Sequence, residues 1–246
     1  NMSITAGTAK ALTANTYTRA GYTFGGWNTA ANGAGITYAA GATNFVPTAD
    51  VTLYAQWNTT ITYNANGATG SPSRATDSFT FGSTPLSLPD KTGLTYAGYT
   101  FVGWSETTSG AAVVNPYSPT QTRTLYAIWV GISYSVSYNA NGGTGSVADA
   151  TYTTGSAGIT LNDGSSLSRT GYTFGGWKNV AGTTVSGSAY SPTDNVTVYA
   201  IWTPKTIAVT YDKGIATTTT AFPSNTTAAY GANLTLSSGV DVSTTI

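Results

Sequence analysis

The sequence predicts a β-rich fold, all-β to α+β, laid out as small tandem modules in a semi-rigid rod. Three observations carry this. The motif Gly21-Tyr-Thr-Phe-Gly-Gly-Trp27 returns as Gly98-Tyr-Thr-Phe-Val-Gly-Trp104 and Gly171-Tyr-Thr-Phe-Gly-Gly-Trp177. Each copy is answered downstream by Tyr54-Ala-Gln-Trp57, Tyr126-Ala-Ile-Trp129 or Tyr199-Ala-Ile-Trp202. Helix signals are poor throughout, with no long 3.6-residue stripe and few strong helix formers.

The first Trp of each copy recurs after 77 and 73 residues, and the second after 72 and 73. Variation of this size is what loop insertions in a repeated module produce. A third signature precedes the other two: Thr62-Tyr-Asn-Ala-Asn-Gly67, Ser137-Tyr-Asn-Ala-Asn-Gly142 and, degraded, Thr210-Tyr-Asp-Lys-Gly214. Residues 59–130 and 131–203 therefore read as complete repeats. Residues 1–58 read as a partial repeat lacking its first strand, and 204–246 as one truncated before its GYTFGGW motif. The plain reading is a window on a longer array. The alternative is a filament subunit whose incomplete ends join head to tail. Ser3 to Leu12 and Ala228 to Leu236 both resemble the middle segment of the repeat, a redundancy that favours the window.

Along the chain, Ser3 to Leu12 is weakly apolar and reads as a strand. From Tyr17 to Trp27 the residues alternate, placing Tyr22 and Phe24 on one face. Trp27 would fall on the other face, so a bulge is expected at Gly25-Gly26 that returns the ring to the core. Asn28 to Gly35 is turn chemistry and the most variable part of the repeat. Ile36 to Thr43 carries a short apolar patch. Pro47-Thr-Ala-Asp50, matched by Pro119-Thr-Gln-Thr122 and Pro192-Thr-Asp-Asn195, reads as a helical turn or β-turn. Val51 to Trp57 is a strand with Val51, Leu53, Ala55 and Trp57 on one face.

The next repeat opens after only Asn58-Thr59-Thr60, too short and β-branched for a flexible coil. The second junction, Val130 to Ser135, contains Gly131 and should bend more. Asn66-Gly67 and Asn141-Gly142 follow short apolar strands and are strong hairpin signals, because primed turns need positive φ at both central residues. Ile215 to Thr227, Thr-rich with Pro223, is expected to be disordered or a long loop.

A repeat of about seventy residues lies near the lower limit for a core without staples. Aromatics at 12% make it feasible, since one large ring buries roughly 150–250 Å². Trp27, Trp57, Trp104, Trp129, Trp177 and Trp202 are assigned to the core, with Tyr22, Phe24, Tyr99, Phe101, Tyr172 and Phe174. Their fixed repeat positions favour packing over exposure as sugar-stacking platforms.

The chemistry searched for is sparse. Nine basic residues balance nine acidic ones, and only 7% of residues are charged. No basic cluster invites nucleic acid or an anionic membrane, and no run of about twenty apolar residues spans a bilayer. The start carries no signal-peptide pattern, which says nothing if the array extends upstream. Without Cys or His there is no disulfide, thiolate or imidazole, so the usual zinc ligands are missing. The one Glu is Glu106, and the Asp residues read as not recurring at equivalent positions, so a paired-carboxylate site is not expected. No cofactor and no metal are expected. Loop residues Glu106, Asn115 and Lys178 are the better candidates for contacts. Asn58, Asn195, Asn225 and Asn233 begin Asn-x-Thr triplets. Glycosylation is considered at Asn58, Asn225 and Asn233, and less at Asn195 beside a strand. A Lys–Asn crosslink is disfavoured by the shortage of Lys and acids.

The ordered signatures YNANGG, GYTFGGW and LYAxW at this spacing resemble the Listeria–Bacteroides repeat, also called the internalin B-repeat. The resemblance covers essentially the whole chain. It implies β-grasp-like modules in tandem, in wall-anchored or secreted bacterial proteins, commonly as stalk or adhesive segments. The reading is a non-enzymatic extracellular stalk, spacer or adhesin segment at a bacterial surface. Expected partners are neighbouring repeats of the same chain, a host or environmental surface protein or glycan, or further copies in a homo-polymer. A self-assembling filament and a carbohydrate-binding repeat are the rivals.

Overall fold

β-Branched and aromatic residues fill the periodic stretches, while Gly, Asn and Pro punctuate them, so strand pairing is what satisfies the backbone. The computed structural model describes residues 2–185, 187–210 and 226–233, and among them every regular element is a strand. The chain divides into two compact units, Asn1–Gly131 and Ile132–Ile246.

The first unit holds β1 (Thr23–Asn28), β2 (Thr37–Tyr38), β3 (Tyr54–Asn64), β4 (Thr69–Gly70), β5 (Thr76–Thr80), β6 (Leu94–Thr95), β7 (Tyr99–Ser105) and β8 (Arg123–Gly131). Six of them form one sheet in the order β2-β1-β3-β8-β7, with β5 also on β3, while β4 pairs with β6. β3 is the shared element. It pairs antiparallel with β1 through Tyr54–Asn58, antiparallel with β5 through Asn58–Thr62, and parallel with β8 through Ile61–Asn64. It runs unbroken through Asn58-Thr59-Thr60-Ile61, where β-branched residues favour extension and neither Gly nor Pro interrupts. Two sequence repeats therefore hang from one strand.

The second unit holds β9 (Ser133–Asn139), β10 (Ala150–Thr153), β11 (Tyr172–Lys178), β12 (Thr184–Val185), β13 (Val196–Pro204), β14 (Thr206–Val209) and β15 (Thr226–Ala229). The sheet order is β10-β9-β13-β11-β12, and β14 pairs with β15. β9 and β13, the first and last long strands of the repeat, lie side by side and parallel, each with an antiparallel neighbour outside. The second repeat repeats this as β5-β3-β8-β7. That is the β-grasp-like sheet the resemblance implies. The crossovers between the second and third long strands use no helix. Isolated bridges Leu86↔Tyr117 and Ile159↔Tyr190 tie them down instead.

The expected bulge is present three times, with register shifts at Phe24/Gly26, Phe101/Gly103 and Phe174/Trp177. Other expectations differ. Ser3–Leu12 is not a strand; a bridge from Lys10 to Phe45 and backbone bonds from Gly7 N to Pro47 O and Leu12 N to Ala42 O hold it. The closing strand of the first repeat starts at Tyr54, not Val51, which is 44% exposed. The equivalent stretches Arg123–Tyr126 and Val196–Tyr199 pair with Ile61–Asn64 and Val136–Asn139. Among the described residues no such partner lies beside Val51–Leu53.

The Asn-Gly turns do form, with φ of 50° and 92° at Asn66 and Gly67 and 48° and 85° at Asn141 and Gly142. The strands that precede them pair antiparallel with the next long strand, β5 and β10, but through longer connections and not as tight two-residue hairpins. Asn66 Nδ2 donates to Ala127 O and Asn141 Nδ2 to Ala200 O, both at 2.8 Å. That clamps each turn to the closing strand of its repeat. Of the expected loop, residues 215–225 lie outside the described residues, but Thr226 and Thr227 open β15.

Two cores result. Ile61, Tyr63, Leu88, Leu94, Trp104, Tyr117, Leu125 and Ala127 form one, and Val136, Leu161, Leu167, Trp177, Val198 and Ala200 the other. Ile61, Leu125, Val136 and Val198 are fully buried, each contributing about 1.5–3 kcal/mol.

Candidate functional site

The recurring feature is an aromatic trio. Phe101, Trp104 and Trp129 pack edge to face with centroids 5.6 and 5.3 Å from Phe101, and Phe174, Trp177 and Trp202 do so at 5.1 and 5.8 Å. Phe24, Trp27 and Trp57 form the third, at 5.2 and 5.7 Å. Edge-to-face geometry suits the ring quadrupoles. Trp104 and Trp177 are each 2% exposed. They donate Nε1 to Pro89 O and Asn162 O, both at 2.6 Å. Trp129 and Trp202 are half-buried and donate to Ala65 O and Ala140 O. Trp27 and Trp57 are half-buried. The difference has a visible source. Tyr63 and Tyr138 cover Trp104 and Trp177 at 4.8 and 4.7 Å, whereas Trp27 meets Tyr17 at 6.3 Å.

Tyr22, Tyr99 and Tyr172 are half-buried. Each stacks with the residue three places before it: Arg19 over Tyr22 at 5.0 Å, Tyr96 on Tyr99 at 4.2 Å, Arg169 over Tyr172 at 4.1 Å. Within the first unit this stack bridges repeats. Arg19 lies 3.5 Å over the Phe81 ring, Tyr22 OH donates to Pro119 O, and Thr122 N donates to Gly21 O. In the second unit Tyr230 takes the corresponding place against Tyr172, at 5.7 Å.

The ionisable groups gather in two sets that the sequence did not reveal. Tyr63 OH donates to Asp77 at 2.7 Å, and Arg74 pairs with the same carboxylate. Tyr117 OH donates to Glu106 at 2.7 Å, and Arg123 pairs with Glu106. Burial, then the bond to Asp77, pushes the Tyr63 phenol above its ordinary value, and burial pushes up Tyr117. A phenol held neutral is a donor rather than a base or nucleophile, so both sets order strands and loops.

One sequence expectation is corrected. Asp90 and Asp163 do occupy equivalent positions, eight residues before Gly98 and Gly171. Hydrogen bonds from Thr92 and Ser165 hold their carboxyls below the usual range. The recurrence serves a turn. Among the described residues no three carboxylates gather as metal ligands.

The loop candidates lie apart. Glu106 is bound as described, and Asn115 Oδ1 accepts from Leu88 N. Lys178 sits in β11 opposite Tyr199. Asn58 lies in β3 with Oδ1 accepting from Thr80, and Asn195 Oδ1 accepts from Ser135 N. Asn233 is exposed, and Asn225 lies outside the described residues.

Tandem β-grasp-like repeats built on a bulged Phe-x-Gly-Trp strand and an aromatic trio define a repeat protein of the module-array class. The model of the Listeria-Bacteroides repeat domain family matches residues 1–56, 60–128 and 134–201, and the chain belongs to that family. It is also similar to a protein of Evansella cellulosilytica named "Putative Gly-rich membrane protein", 34% identical over 174 residues. The match covers 65% of this chain and 19% of that protein. Among the described residues no helix is long and apolar enough to cross a membrane.

Proposed function

We propose that this chain is a non-enzymatic, extracellular repeat segment of a bacterial surface protein that acts as a stalk or spacer and carries adhesive contacts. Family membership and the likeness to a protein named as a membrane protein support the setting. The observation that carries the mechanical reading is β3, one strand serving two repeats. A strand built into two repeats resists bending where a coil would not. The test is stretching of single molecules. Force peaks should appear whose length increments match blocks of whole repeats, at about 3.5 Å per residue. Featureless extension at low force would overturn the spacer reading.

A further inference from the structure

The first repeat departs from the others on the outer face of its sheet. Before the closing Trp, the second and third repeats have Ile128 and Ile201, and the first has Gln56. Two residues later the second repeat has Val130 and the first has Asn58. The two amides line a cavity of about 260 Å³ with Asn32, Thr37, Thr80 and Ser83.

Gln56 is only 5% exposed, yet its Oε1 accepts no hydrogen bond. Its Nε2 makes two long bonds, 3.4 Å to Ala30 O and to Tyr54 O. Buried amide oxygens are seldom left so. A Cβ on Gly33 would stand 2.8 Å from that oxygen, so only glycine fits against it. The loop that forms one wall is held from beneath by Asn28, which is fully buried. Its Nδ2 donates to Gly33 O, Gly35 O and Thr37 Oγ1, and its Oδ1 accepts from Ala30 N and Gly35 N. Ser105 and Lys178 stand at that position in the other repeats, so this wall belongs to the first repeat alone.

The lining is uncharged and offers amides and hydroxyls. An anion finds no cation there, and an apolar ligand would leave polar walls unpaired. A neutral polyhydroxylated molecule matches, because each hydroxyl both donates and accepts. We infer that this cleft binds one neutral sugar unit, the Gln56 amide turning toward the cleft so that Oε1 accepts a hydrogen bond from a ligand hydroxyl. The site goes beyond the spacer reading and does not depend on it.

The test is titration of the isotopically labelled chain with glucose, galactose, mannose and N-acetylglucosamine, followed by NMR. At least one sugar should give saturable shifts at the Asn32 and Gly33 backbone amides and at the Gln56 and Asn58 side-chain amides. Gln56→Ile, which installs the residue of the other repeats, should weaken binding about tenfold while the rest of the spectrum is kept. If that variant does not fold, Ser83→Ala on the exposed rim serves, with a several-fold loss expected. No saturable shift with any of the four sugars at about 100 mM would overturn the proposal. So would shifts that persist unchanged in the folded variant. Neither result would touch the spacer reading, which the stretching experiment tests separately.

Discussion

Replacing Trp104 by Phe probes the core at its most buried ring. Trp104 is 2% exposed, lies 4.8 Å from Tyr63 and 5.6 Å from Phe101, and donates to Pro89 O at 2.6 Å. Phe keeps most of the apolar surface but removes the pyrrole edge, about 40 Å² of burial or about 1 kcal/mol. It also strands the Pro89 carbonyl, at about 1–3 kcal/mol. Trp104→Phe should therefore cost about 2–4 kcal/mol, a large share of a typical domain stability. Trp27→Phe, at a half-buried ring, should cost about 1 kcal/mol. Urea unfolding followed by far-ultraviolet circular dichroism reads both. Equal losses, or a loss under about 1 kcal/mol at Trp104, would refute the reasoning from burial and from the indole hydrogen bond.

Three further outcomes follow from particular contacts. The Tyr63 phenol is raised in the folded chain above its ordinary 10.0, so its contribution is whole below that pH and fades as pH rises past it. Tyr63→Phe should flatten the alkaline decline in the urea midpoint, and an unchanged slope would mean that burial and the Asp77 bond do not raise the phenol. Gly26 and Gly176 share a bulge position with φ of 115° and 112°, but a Cβ on Gly26 meets Tyr38 O at 2.7 Å and one on Gly176 meets nothing. Gly26→Ala should cost more than Gly176→Ala, which bears only the backbone strain of about 1–3 kcal/mol. Arg19→Ala and Phe81→Thr should couple by about 0.5–1 kcal/mol in a double-mutant cycle, and additive losses would mean the stack joins nothing.

The bulge was legible because two-residue periodicity puts Trp27 on the wrong face and a glycine just before it can correct that. The unbroken junction was legible from Thr59, Thr60 and Ile61, whose β-branching favours extension. The Asn-Gly turns misled as to how tightly the chain returns, since a distant contact holds each turn. The amides of Asn66 and Asn141 reach a strand about sixty residues away, and no local pattern announces that. The pairing of Tyr63 with Asp77 depends on strand register in the same way. Gln56 was visible as the one departure in the Tyr-Ala-x-Trp signature, but its burial and orphaned oxygen needed the loop that folds over it. The shared spacing of Asp90 and Asp163 was in the sequence all along, measurable from the following Gly.

Amide hydrogen exchange across Tyr54–Asn64 tests most directly whether one strand carries two repeats. Bonded amides on both sides of Asn58 should open together, at one common free energy near that of global unfolding of residues 1–131. A step at residues 58–59, with the first half exchanging freely while the second stays closed, would contradict it.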